Sequence, residues 1–313
     1  MNSTTLSLPT RRERRAASQR RWSLTNVVVA VMLFAGIGTL LYPTAATWFT
    51  DRFHASDVAA YTSEVEALPD GQRQELLEAA RDYNENLPNG PLRDPYVLNE
   101  QGGAESVDSG RDEYDQQLSL EPGEAMARVR VPKLGIDIPI YHGTDEATLE
   151  KGIGHLYGSG LPVGGKGSHS VLTGHSGLPS STLFTHLDQM QEGDVFYIEV
   201  MGETLAYQVD QITTIEPDNG EELRQVPGKD YVTLLTCTPI GVNTHRLLVR
   251  GERIPIEDLS ADEQINAVAA APIDPGFPWW ALGLIGSIVL TTAIAVPRRP
   301  RPADEEAALE GDD

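Results

Sequence analysis

The stretch TLLTCTPIGVNTHRLLVRGER, residues 233–253, decides the fold. It reads as two apolar, strand-like runs joined by a loop rich in turn residues. Cys237, the only cysteine in the chain, ends the first run, and Arg246 opens the second nine positions later. Thr238-Pro239 ends the first ladder, because proline has no N–H to donate. If the two runs are antiparallel neighbours, residues 238–245 form the connecting loop. Both side chains then lie near one barrel rim.

Upstream, the same grammar repeats. ARVRV (127–131), IDIPIYH (136–142), SVLTGH (170–175), DVFYIEV (194–200) and TLAYQVDQITTI (204–215) alternate or run apolar at strand period. Residues 132–135 are a turn between the first two, and TLFTHLDQM (182–190) reads as a short helix between strands. Many short strands without regular intervening helices predict a mainly-β fold, a closed barrel or a sandwich. Before this block, residues 57–87 read as two helices broken at Leu68-Pro69-Asp70-Gly71. The second carries Leu76, Leu77, Ala80 and Tyr83 at helical spacing. Residues 92–119 are polar, contain glycine and lack periodicity, which predicts a mobile loop.

Two uncharged apolar runs flank the whole: residues 23–42 and 279–296. A hydrocarbon core needs about 20 apolar residues of helix, and both runs fit. The first competes with a cleaved signal peptide, the second with a buried core helix. Six arginines precede the first run, and Arg298, Arg299 and Arg301 follow the second. Positive charge stays cytoplasmic, so both termini are expected inside and the intervening block outside. The net charge of −22 argues against binding nucleic acid through its phosphates. One cysteine excludes a disulfide framework and cysteine-cluster zinc sites.

A thiol becomes a nucleophile only beside a cation or base. Taken alone, Cys237 could equally be a small buried hydrophobe. Arg246 can hold the negative charge of an acyl-transfer intermediate but cannot act as a base. The base should be a histidine, and His175 sits at a strand-to-loop exit, where functional side chains gather. His169 enters the same strand and belongs at its opposite end. His245 points away from Arg246 by strand alternation. His54, His142, His155 and His186 complete the seven, and no obvious metal set emerges from His142, His155 and His169.

TLLTCTP followed by NTHRLLVRGER, with TGHSGLP upstream, resembles the signature of sortases, the membrane-anchored transpeptidases of Gram-positive bacteria. The resemblance covers about residues 125–255 and implies a closed eight-stranded barrel with short helices. It implies catalytic roles for His175, Cys237 and Arg246. The LEAARDYNENL helix, the second apolar run and the triplet Asp94-Pro95-Tyr96 resemble class C, the pilin-polymerising sortases. There the triplet is a lid, with Asp94 paired to a site cation such as Arg246 and Tyr96 over Cys237. Taken without the resemblance, the triplet is a plain Asp-Pro turn. Two positions depart from the commonest class C pattern: Ser176 stands where an arginine often follows the histidine, and Ile240 where a tyrosine often follows TCTP.

The resemblance implies cleavage of Leu-Pro-x-Thr-Gly-like sorting signals between Thr and Gly. The acyl group then passes to a pilin lysine, or in the alternative to a peptidoglycan amine. Expected partners are pilins and surface proteins with C-terminal sorting signals, and the membrane. No cofactor or metal is expected. A non-catalytic scaffold is the reading from another class. A papain-like protease places its cysteine on a helix with the histidine downstream, the opposite of the order here.

The expected organisation is therefore a cytoplasmic basic segment (1–22), a membrane span (23–42) and a helical segment (43–91). A lid loop and linker follow (92–124), then the catalytic barrel (125–256), a linker (257–278), a second span (279–296) and a cytoplasmic tail (297–313).

Overall fold

The computed structural model describes residues 23–89, 92, 110–120, 124–217, 219–268 and 271–296. Eight strands close into a barrel: β1 (Ala127–Val131), β2 (Ile136–His142), β3 (Ile153–His155), β4 (Ser168–Thr173), β5 (Val195–Val200), β6 (Glu203–Ile215), β7 (Asp230–Thr238) and β8 (His245–Ile254). Their order around the wall is β1-β2-β3-β4-β7-β8-β6-β5, with β5 pairing back to β1. Closure removes the edges that an open sheet would expose. Alternation fills the interior. Val129, Ile140, Leu172, Phe196, Ile198, Tyr207, Val232, Leu234 and Val249 belong to one apolar core. The opposite face of β4, β7 and β8 carries Val171, Leu235 and Leu248, which form a separate cluster with Leu156, Ile215 and Leu223.

Seven of these strands were legible by period. β3 was not, because three residues are too few to show one. A six-residue helix, Glu146–Lys151, precedes β3 and was also missed. Residues 182–190 are not a helix as expected. Only a 3-10 turn, Leu187–Gln189, forms there.

The apolar run beginning near residue 24 does not stop at the membrane-length mark. Helix α1 (Leu24–Ala67) continues for 44 residues with Pro43 inside it. It breaks before Pro69, as expected, and α2 (Asp70–Asn86) buries Leu77 and Ala80, with Leu76 and Tyr83 half-buried beside them. Part of the segment expected as a mobile loop is a helix, α3 (Arg111–Gln116). Fully buried Tyr114 fixes it through hydrogen bonds to His155. The residue span 92–119 otherwise lies mostly outside the described residues. With Glu146–Lys151 as α4, the C-terminal helices are α5 (Ala261–Val268) and α6 (Trp279–Ala295).

Helix α5 sits in the stretch expected to be linker, and the barrel wall holds it. Arg128 and Arg130 on β1 are 1 % and 5 % exposed. Arg128 donates to Asp137 at 2.6 Å and to Glu199 at 2.8 Å. Arg130 reaches Glu199 at 2.5 Å, and it also donates to the carbonyls of Asn266 and Ala267. Buried charges are tolerated only when paired in this way.

Backbone contacts divide the chain into two units, Met1–Ala45 with Phe277–Asp313, and Ala46–Gly276. In the first, the two apolar helices pack through small residues. A Cβ on Gly283 would lie 3.3 Å from Leu41, and Ser287 and Thr291 on the same face of α6 are buried. Among the described residues one helix, α1, is long and apolar enough to cross a membrane, and α6 is a shorter apolar helix of 17 residues.

Candidate active site

Cys237 and Arg246 are direct partners in the antiparallel β7–β8 register. Opposite residues share a face, with Cβ atoms roughly 4.5–5.5 Å apart. β4 runs parallel to β7, with Thr173 paired to Leu235. The chain keeps that track past the strand end: Gly174 N donates to Leu235 O at 3.1 Å, and Thr236 Oγ1 donates to Gly174 O at 2.7 Å. Two steps beyond Thr173 on one strand and Leu235 on the other, His175 comes level with Cys237. Alternation places all three residues on the face of Val171, Leu235 and Leu248, outside the barrel lumen. The rim expected from the sequence is thus the outer wall at the C-terminal end of β4 and β7.

Each member is held by its backbone. Cys237 is 7 % exposed and lies outside the three apolar clusters. Arg246 is 5 % exposed, and its Nη1 donates to the carbonyls of Asn243 and His245, at 3.0 and 3.1 Å. Asn243 adopts a left-handed φ of 59°, which turns the loop back over its own arginine. His175 accepts Phe184 N at its carbonyl, at 3.1 Å. The residue before it must be glycine: a Cβ on Gly174 would come within 2.5 Å of Ile153 Cδ1 and 2.9 Å of Phe184.

Ser176 Oγ donates to the carbonyl of Cys237 at 2.7 Å and so ties the β4 exit to the nucleophile's strand. The sequence marked Ser176 only as a departure from a family pattern. Ile240 lies against Gly177, whose φ is +74° and whose added Cβ would meet Ile240 Cγ2 at 2.3 Å. The other departing position thus packs the β7–β8 loop onto the histidine loop.

The charge environment of His175 is mixed. Burial holds its pKa below the usual histidine value, and the carboxylates of Glu146 and Glu150 on α4 offset part of that shift. Glu146 Oε1 lies 3.8 Å from Nε2. The other histidines have other work. His155 and His169 are buried and neutral in hydrogen-bonded slots. His142 and His54 contact the carbonyls of Gln117 and Lys151. His245 is exposed beside Thr244, and His186 is exposed. His169 does stand at the far end of β4 from His175. Asp94, Pro95 and Tyr96 lie outside the described residues. Among the described residues no cluster of metal-binding side chains forms.

A cleft of about 670 Å³ lies elsewhere, between α2, α3 and Tyr157, and none of the three residues lines it. The candidate site lies instead on the outer face of the barrel wall.

The comparisons with known proteins agree with this geometry. A profile of the sortase domain matches residues 129–254. The crystal structure of sortase C-1 from Actinomyces oris is 45 % identical, with a TM-score of 0.56, over 59 % of this chain and 99 % of that one. The pilus-related sortase C of Group B Streptococcus is also 45 % identical, with a TM-score of 0.56, over 62 % of this chain and 95 % of that one. Sortase A of Bacillus anthracis is 26 % identical over 136 residues, a match that covers 44 % of this chain and 63 % of that protein. The match thus spans less than two thirds of that relative's length. With the barrel closed, the Cys–Arg pair in register and near-complete coverage of a solved relative at this identity, the chain belongs to the sortase family of cysteine transpeptidases.

Proposed function

We propose that the protein is a membrane-anchored, pilin-polymerising sortase. The observation that carries the reading is the register pair Cys237–Arg246 with His175 level beside it on one face. The Cys237 thiolate attacks the Thr carbonyl of a Leu-Pro-x-Thr-Gly-like signal. Arg246 receives the negative charge that builds on the carbonyl oxygen. His175, as imidazolium, gives its proton to the departing Gly amine. The C–N bond breaks and a thioester remains on Cys237. A pilin lysine amine then attacks the thioester, His175 takes up its proton, and the Cys237 thiolate leaves. The product is an isopeptide bond, and no cofactor enters the balance.

Asp94, Pro95 and Tyr96 are proposed as the lid over this face. Leu92, two residues before Asp94, packs against the Leu156–Leu223–Leu235 cluster that continues the face of Cys237, which supports the reading. The two apolar runs, residues 23–42 and 279–296, are proposed as spans with both termini cytoplasmic. The arginines outside each run and the small-residue packing of Gly283 against Leu41 support this. Two anchors hold the enzyme on the membrane face where its substrates emerge, which raises their effective concentration. Within this scheme residues 125–256 are the catalytic domain.

Full-length protein in nanodiscs, given a purified pilin with a sorting signal, should build a ladder of isopeptide-linked multimers. Cys237→Ala should abolish it. A ladder that survives this change ends the enzyme reading at this site. Attachment to peptidoglycan amines alone would favour a wall-anchoring sortase. That second reading shares every step through the thioester, and the match to sortase A of Bacillus anthracis gives it ground.

A further inference from the structure

The proposed scheme needs His175 charged when it protonates the leaving amine, yet burial works against the charge. Carboxylates on α4 oppose part of that penalty. Asp145 caps the helix, accepting from Thr148 N at 3.0 Å, and Leu149 is buried beneath. At the other end the Lys151 carbonyl lies 3.0 Å from His54 Nε2, and Lys151 Nζ sits 3.9 Å over the Tyr141 ring. After α4 the chain is pressed close against the preceding loop: a Cβ on Gly154 would fall 2.3 Å from the Gly143 carbonyl. The helix is therefore a fixed platform, and Glu146 is its first residue.

We propose that Glu146 is a positioning residue of the active site: its carboxylate, 3.8 Å from His175 Nε2, orients the imidazolium and stabilises its charge against burial. The proposal rests on the reading of His175 as the proton donor. At 3.8 Å the contact is an ion pair without a direct hydrogen bond. Glu146 is 69 % exposed, so solvent and salt screen the contact. The charged groups acting on His175 are Glu146 and Glu150 from α4; on the barrel side Cys237 of β7 stands level with it, and Arg246 of β8 stands opposite Cys237. Glu150 acts in the same direction from one helical turn further on, as the weaker of the two.

Deleting a negative charge eases deprotonation of both members of a Cys–His pair. Glu146→Gln should therefore move both limbs of the pH profile of sorting-peptide cleavage downward, by about half to one pH unit. Glu146→Asp should fall between, and Glu150→Gln should shift less. At about 1 M salt, where the screening length is about 3 Å, the difference should shrink to a small remainder. A purely structural role would lower the height of the profile and leave the limbs in place, and that result overturns the proposal.

The sole cysteine allows a readout that needs no substrate: the pH dependence of Cys237 alkylation by iodoacetamide in the full-length protein. It should show the same downward displacement in Glu146→Gln. If the wild type cleaves no sorting peptide, the sortase mechanism at this site fails, and the alkylation profile alone decides whether Glu146 acts on the pair. An unmoved alkylation profile then overturns the proposal.

Discussion

Arg246 stands opposite Cys237 in the β7–β8 register. It is nearly buried, and part of its donor set is spent on the carbonyls of Asn243 and His245. Those bonds orient the plane, and in the proposed mechanism the guanidinium meets the oxyanion that develops beside Cys237. Arg246→Lys keeps the charge and loses the planar fork, so it too should impair turnover. Arg246→Ala should lower kcat for sorting-peptide cleavage on the order of 10²-fold. Iodoacetamide should still label Cys237, because alkylation needs no oxyanion support. A variant that cleaves at the wild-type rate refutes the role. Cys237 and Arg246 were legible from spacing, since nine positions on a tight hairpin return the chain to the same level. Ser176 and Glu146 were not. The first acts through a hydroxyl onto a backbone carbonyl, and the second reaches the site from a six-residue helix with no readable period.

The elements that carry the site are stiffened by buried polar side chains rather than by apolar packing alone. His155 on β3 sits between Tyr114, 2.9 Å from Nδ1, and the Gly160 carbonyl, 2.8 Å from Nε2. His169 on β4 bridges the Arg224 carbonyl and Thr233 Oγ1. Burial lowers both to about 4 from an unfolded value of 6.5. The unfolded chain therefore binds protons first as pH falls, so stability is full above about pH 6.5 and declines towards pH 4. Each histidine contributes on the order of 3 kcal/mol to that decline. Urea unfolding of the full-length protein across this window should show it, and His169→Gln should flatten the slope. A wild-type stability that is level from pH 7 to 4 contradicts the assignment. Helices α3, α4 and α5 were hidden for a related reason. Short helices expose too few turns to show amphipathicity, and what fixes α3 and α5 is tertiary: Tyr114 on His155, and Arg130 of β1 on the carbonyls of Asn266 and Ala267.

At the scale of the whole chain, the proposed topology is tested by its ends. Green fluorescent protein fused after Asp313 should fluoresce, because that end is proposed as cytoplasmic, and alkaline phosphatase at the same point should be inactive. The reverse pair of results would invert the orientation. Seven of the barrel's eight strands, the break at Pro69, the apolar runs and the identity of Cys237, His175 and Arg246 as candidates were all determined by the sequence, since strand period, proline, charge exclusion and residue chemistry are local properties. What only the tertiary structure decided was the face. β4 and β7 lie 57 or more residues apart in the chain and meet as a parallel pair. Register across that pair, not any neighbouring residue, brings His175 level with Cys237. Alternation then sets both outside the lumen, on the outer face of the wall. A side chain's direction is fixed by strand pairing, and pairing between distant segments is decided by how the closed barrel buries its interior.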